Sequence, residues 1–413
     1  MSLSVSSVAI EDDRPLLDLL PHTPDALAWV RDGEGIVAWG VAARLEAGRG
    51  PERFRRAWDA LGSLAERTEV EDAVGLPGSG LIGIGSFSFD ADADGSVLVV
   101  PRVVIGRRGG TTWRTDLSPP NATPAPPVAS SPPVATPSRP RYAGSSLPDV
   151  HWLEAVARAI ARIDAGEAEK VVLARDHAVW SQEPFDAIDL ARRLTGRFPS
   201  CHTFVVEGLV GATPELLLSR SGRTVASRVL AGTTGRSADE VEDAALGAAL
   251  LASEKDLAEH RFAADSVREV LAPHCADLAG EVGPRLLRLD NVQHLATTFR
   301  GHLDEPDTSA LELVGALHPT AAVGGTPRQA ALEMIQELEG MSRGRYAAPV
   351  GWTDAAGDGE WGIALRCAEL AGARARLFAG VGVVAASLPE AELEETRLKL
   401  LAMQAAFGAD PVR

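Results

Sequence analysis

Cysteine is scarce in this chain: 413 residues hold three, Cys201, Cys275 and Cys367, too widely spaced for a metal-ligand pattern. A sparse, odd set of thiols excludes a disulfide scaffold and points to reduced cysteines in a cytoplasmic protein. Basic charge is also short, with 40 Lys and Arg against 57 Asp and Glu, a net charge of −17. Such an excess leaves no basic face for a nucleic-acid backbone. An acidic protein acting on an anion must then assemble a local positive site from a metal or from a few Arg and Lys. Long apolar runs are missing too. The stretch LFAGVGVVAASL is too short and too glycine-rich to span a bilayer. The start, MSLSVSSVAIEDDRP, lacks the basic and apolar segments of a secretion signal, so a cytoplasmic location is expected.

What is present divides the chain. Residues 118–141 contain nine prolines and no large apolar side chain, which predicts an extended connector over 118–148. Before it, residues 1–117 carry strand-like runs, GIVAWGVAARLE, LIGIGSFSFD and SVLVVPRVVIG, separated by Gly and Asp turns and without a catalytic cluster. This part is expected to supply structural strands packed on the main body. After it, residues 149–413 mix helices and strands. HWLEAVARAIARIDAGE reads as an amphipathic helix ended by Gly166, and KVVLARDHAVW as a strand. One long helix is expected from about Ser237 to Leu271, others from Pro327 to Leu338 and Pro389 to Ala406, and two late strands, GIALRCAELAG and ARLFAGVGVVA. Strands arrive as neighbouring pairs, which predicts an α+β fold with large, mostly antiparallel sheets packed with helices.

Two helical stretches carry acids three residues apart, on one face of each: Asp256 with Glu259, and Glu392 with Glu395. Facing each other, they would offer hard oxygen ligands suited to Mg²⁺; singly, each pair is an ordinary solvated face. Lys170 opens an apolar strand, where an exposed edge is the plain explanation. Glu215 follows Pro214 just before three leucines, so a buried, raised carboxyl able to act as an acid is expected. Arg366 interrupts the apolar run GIALRCAEL and calls for an anionic partner, protein or ligand. Gly380 and Gly382 clear side chains from a strand, as a close ligand approach requires.

The strings KVVLAR, GATPELL, VLAGT, SEKDLAEH, VQHLAT, LHPTAAVGGTP, GRYAAPVGW, ALRCAEL, AGVGVV and ELEETRLK occur in this order. Together they resemble the chorismate-binding enzymes over about Val150 to Phe407: isochorismate, salicylate, anthranilate and aminodeoxychorismate synthases. The resemblance implies Mg²⁺ held by Glu259 and Glu395, with Asp256 and Glu392 behind them. Asp256 stands where several relatives have Glu, which implies a water-mediated role. Lys399 would assist the metal on the ring carboxylate of chorismate, and Arg366 and Tyr346 would clamp the enolpyruvyl carboxylate beside Gly380 and Gly382. Gly232, Thr233 and His294 match pocket-lining positions. Lys170 would take a proton from water attacking C2, and Glu215 would protonate the hydroxyl leaving C4.

Three positions select among these relatives. Lys170 stands where ammonia-using members have Gln, and Ala231 where one branch has a Lys that attacks the substrate. Ala322 is the isochorismate-type residue where salicylate- and anthranilate-type members have Thr. The resemblance therefore implies an isochorismate synthase, an isomerase feeding menaquinone or siderophore synthesis, with salicylate synthase as the alternative. A monomer without a glutaminase subunit, a membrane or a nucleic acid is expected.

Overall fold

The computed structural model describes residues 3–118 and 140–408, so most of the proline-rich connector lies outside the described residues. The fold is α+β: among the described residues, 21 strands join into one hydrogen-bonded network with helices packed against it. Its pairings are antiparallel, save that Leu3–Ile10 runs parallel to Thr68–Asp72. Strands from before the connector pair with strands from after it. Leu27–Arg31 lies against His202–Val206, and Ile82–Ser86 against Pro349–Asp354.

Local sequence explains the elements that frame the site. The helix Asp149–Asp164 buries Trp152, Ala155, Val156, Ala159 and Ile163, an i, i+3, i+4 stripe, and Gly166 follows it at φ +82°. The strands Lys170–Trp180 and Arg374–Val383 pair antiparallel from Val171 opposite Val383 to Trp180 opposite Arg374. Both are rich in Val, Leu and Ala and buried along most of their length, as strands covered on two faces should be. The helix Pro389–Ala406 opens with Pro at its first position and buries Leu393, Leu400 and Met403, each worth about 1.5–3 kcal/mol.

Two elements differ from the sequence expectation. The single helix expected from Ser237 to Leu271 is two, Glu240–Ala252 and Glu254–Leu271. Ser253 breaks it: its backbone is extended, at φ −74° and ψ 113°, and its hydroxyl accepts the Asp256 N–H as the cap of the second helix. The run GIALRCAELAG is likewise two strands, Gly359–Ile363 and Cys367–Ala371. Arg366 sits in the joint at φ +47°, a left-handed conformation that a strand cannot contain. Among the described residues, no helix is long and apolar enough to cross a membrane.

Candidate active site

A cavity of about 670 Å³ lies where the strands Lys170–Trp180, Thr224–Gly235 and Arg374–Val383 meet the two acidic helices. Lys170 is not an exposed strand edge. Its strand is paired on one side with Arg374–Val383, while Lys170 itself lies opposite Thr326 in the short strand Gly325–Thr326. Its side chain is fully buried, and Nζ stands 3.2 Å from Glu259 Oε1 without a well-directed hydrogen bond. Gly382 makes room for this pair: a Cβ there would lie 2.1 Å from Glu259 Oε1 and 2.8 Å from Lys170 Cε. The glycine is needed for space, in a strand of ordinary backbone.

The acids expected as metal ligands come from facing helices and are interleaved with ammonium groups. Lys255 Nζ lies 2.6 Å from Glu392 Oε1, which ties the helix Glu254–Leu271 to the helix Pro389–Ala406. Lys399 Nζ lies 2.6 Å from Glu395 Oε1 and donates to Gly380 O at 2.9 Å. Burial, and then the neighbouring Glu395, push the Glu392 carboxyl above its ordinary range. Burial opposes the Lys255 charge, but Glu392, Glu395 and Glu259 outweigh it and raise that pKa. Asp256 is turned to the Ser253 hydroxyl and serves the helix cap. Among the described residues, no three His, Cys, Asp or Glu side chains gather closely enough to cage a metal. The donor chemistry still suits Mg²⁺: hard carboxylates on two helices, with Glu259 of one and Glu392 and Glu395 of the other all acting on Lys255.

Glu215 lies between the strands Leu209–Thr213 and Leu216–Ser221, buried at the cavity wall. Arg228 holds the preceding residue, donating to Pro214 O at 2.7 and 3.1 Å, and the Thr213 hydroxyl accepts the Glu215 N–H. Burial pushes the carboxyl up to about 8, against the opposing pull of the Leu230 N–H, Lys170, Arg228 and Lys399. A carboxyl in this state is protonated at neutral pH and able to donate.

Glu215 and Glu259 share this cavity wall with Gly232, Thr233, His294, Ala322, Tyr346, Arg366, Gly380, Gly382 and Lys399, whereas Lys170, Asp256, Glu392 and Glu395 are not among its lining residues. Gly232 is a bulge at φ +77°, where the register against Val292–His302 slips by one residue. Arg366 donates from Nη2 to His294 Nε2 at 2.8 Å. A guanidinium only donates, so His294 Nε2 accepts and Nδ1 carries the proton toward Gly232 O at 3.3 Å or Thr233 Oγ1 at 3.1 Å. Burial, followed by Arg366, holds His294 well below its usual pKa, consistent with a neutral ring. No carboxylate lies within ion-pair distance of Arg366 among the described residues, so its charge is spare for a ligand. Tyr346 stacks on Phe378 at 5.0 Å, and a Cβ on Gly380 would lie 3.0 Å from its hydroxyl. Ala347 and Arg366, both at positive φ, line the wall, and strain of about 1–3 kcal/mol each marks a functional backbone.

Sequence reasoning missed Lys255, Arg228 and the buried pair Glu339–Arg343. Lys255 stands inside SEKDLAEH and was legible as a helical neighbour of the acids. The others act on backbone groups, Arg228 and Arg343 on carbonyls and Glu339 on the Ala174 N–H, which leave no pattern in sequence.

Residues 127–408 match the family described as chorismate binding enzyme. The isochorismate synthase DhbC of Bacillus subtilis (strain 168) is 43% identical over 268 residues, 62% of this chain and 67% of that protein. The MenF protein of Mycobacterium tuberculosis (strain ATCC 25618 / H37Rv) is 39% identical over 349 residues, 81% of this chain and 88% of that protein. The crystal structure of DhbC from Bacillus anthracis superposes with a TM-score of 0.79 at 31% identity, covering 96% of this chain and 99% of that one. The chain belongs to the chorismate-binding enzyme family and, within it, to the isochorismate synthase type.

Proposed function

We propose that this cavity converts chorismate to isochorismate, adding water at C2 of the ring while the C4 hydroxyl departs. The observation that carries the reading is Glu215: a buried carboxyl held protonated at the wall of a cavity that also presents a spare guanidinium. Departure of a hydroxyl requires a proton, and Glu215 has one to give at neutral pH. Lys170, buried and with no well-directed hydrogen bond at Nζ, would take the proton of the attacking water. Arg366 and Tyr346 would receive the enolpyruvyl carboxylate, with His294 fixing the guanidinium and Gly380 keeping the approach clear.

Mg²⁺ is read as the cofactor, on Glu259 and Glu395 with Glu392 behind them; bound there, it would neutralise the ring carboxylate of the substrate. Lys399 would support the same carboxylate. The free, buried thiols Cys201, Cys275 and Cys367 fit a cytoplasmic enzyme. Residues 1–117 would serve as strands packed on the catalytic region 149–413, and the chain would act as a monomer without a glutaminase subunit. Whether the product serves menaquinone or siderophore synthesis is set outside this cavity.

Product analysis tests the reading. Purified protein with chorismate and Mg²⁺ is expected to yield isochorismate without pyruvate. Salicylate and pyruvate in equal amounts would instead assign a salicylate synthase, despite Ala322 at the cavity wall.

A further inference from the structure

A second cavity, of about 1330 Å³, lies between the helices Arg53–Ala65, Ala310–Leu317 and Arg328–Leu338 and the segment Met341–Gly344. Its charges do not balance. Arg53 is buried, yet it forms no ion pair with any described residue. It donates only to Gly50 O and Ser88 O, each at 3.2 Å, and its Nε is buried without a partner. Burial, against the pull of Asp90 and Asp92, brings this guanidinium down to about 10, so it stays charged at neutral pH. Arg328, exposed at the mouth, reaches only the carbonyls of Ala316 and Leu317. Asp90, the acid at the rim, is exposed and its Oδ1 accepts from Asp92 N. In a chain of net charge −17, two guanidinium groups without carboxylate partners at one cavity are a surplus that a ligand would balance.

The rest of the wall describes that ligand. Arg53 lies over the Phe54 ring at 4.6 Å, and Arg343 over the Phe89 ring at 4.1 Å. His318 stands between these rings, 5.9 Å from Phe54 and 5.6 Å from Phe89. Burial, and then Arg53, hold His318 down to about 3, so it is neutral and donates from Nε2 to Phe89 O. Phe54 is itself covered by Arg53 and by Phe87, stacked at 4.2 Å, so the apolar wall is made by Pro319, Leu332, Ile335 and Met341; beside a planar donor fork it suits a carboxylate on an apolar body.

The two cavities share a wall. Arg343 lines the second one and is paired with Glu339, both side chains buried. Its remaining donors go to Val323 O and Val172 O at 2.8 Å each, and both of these residues line the catalytic cavity. Glu339 also accepts the Ala174 N–H, on the strand that carries Lys170, at 2.7 Å.

We propose that this second cavity binds a small monocarboxylate with an apolar body, its carboxylate on Arg53 and Arg328. The test uses the full chain and benzoate as the probe, with binding read by calorimetry. The expected result is saturable binding that excess chorismate does not displace. Arg328→Ala and Gln336→Trp, both on the exposed side of their helix, should weaken benzoate at least tenfold and leave activity without benzoate unchanged. Absence of binding, binding unchanged in both variants, or displacement by chorismate would overturn the site. Inorganic phosphate binding as tightly as benzoate would overturn the requirement for an apolar body. Calorimetry needs no turnover, so a failure here is separate from any failure of the proposed reaction.

Discussion

Lys170 Nζ and Glu259 Oε1 face each other at 3.2 Å in space that exists only because residue 382 is glycine. A methyl group at position 382 would overlap the carboxylate oxygen, while the backbone there tolerates any residue. Gly382→Ala should therefore displace Glu259 and leave the fold intact. The expected outcome is a fall in kcat/KM of at least tenfold and a higher Mg²⁺ concentration for half-activation, with Tm within a few degrees of wild type. Unchanged kinetics would remove Glu259 from the working site.

Lys170→Met replaces a fully buried lysine side chain with an apolar chain of similar length. Loss of the base should lower kcat by roughly 10²–10⁴-fold, the range of a general base, while chorismate affinity by calorimetry changes only a few-fold. Near-normal turnover in a folded variant would return Lys170 to a purely structural role.

Glu215 predicts a linked pH dependence of activity and stability. Its carboxyl ionises near 4.5 when free and at about 8 in the folded chain. The raised value means that its contribution to stability is fully present below about pH 4.5 and is lost progressively as pH rises to about 8. Turnover should fall above that same pH as the acid ionises. Glu215→Gln, neutral throughout, should make turnover low at every pH and flatten the decline in urea stability between pH 5 and pH 8. An unaltered slope would mean that this carboxyl is already ionised at neutral pH.

Glu339 and Arg343 form a buried pair whose members also hold Ala174 N, Val172 O and Val323 O. Glu339→Gln leaves a buried guanidinium uncompensated, and a loss of about 3–5 kcal/mol in denaturant unfolding is expected. A loss below 1 kcal/mol would show that the pair does not brace these strands.

The sequence was most legible where one residue type permits one explanation. Pro389 opening a helix, Gly166 closing one and the apolar runs of the long strands all stand as read. It was less legible where a single backbone residue redirects the chain. Ser253 splits a helix that its apolar pattern runs straight through, and Arg366 turns a strand at a position where composition shows only an odd charge. Among the site residues, acid spacing placed Glu259 and Glu395 on helix faces but did not reveal the lysines between them. Lys255 reaches Glu392 from the facing helix, Lys399 reaches Glu395 from one turn away, and Lys170 reaches Glu259 from a distant strand. The cavity brings Glu215 together with Arg366 and Gly382, which lie more than a hundred residues further along the chain, and only tertiary structure can do this.

The central claim is that water enters at C2 as the C4 hydroxyl leaves, and oxygen labelling tests it most directly. Turnover of chorismate in H₂¹⁸O, with isochorismate examined by mass spectrometry after a fraction of one conversion, should show one solvent oxygen in each product molecule. Isochorismate formed without solvent oxygen would mean that the hydroxyl migrates within the substrate, and would contradict the roles assigned to Lys170 and Glu215.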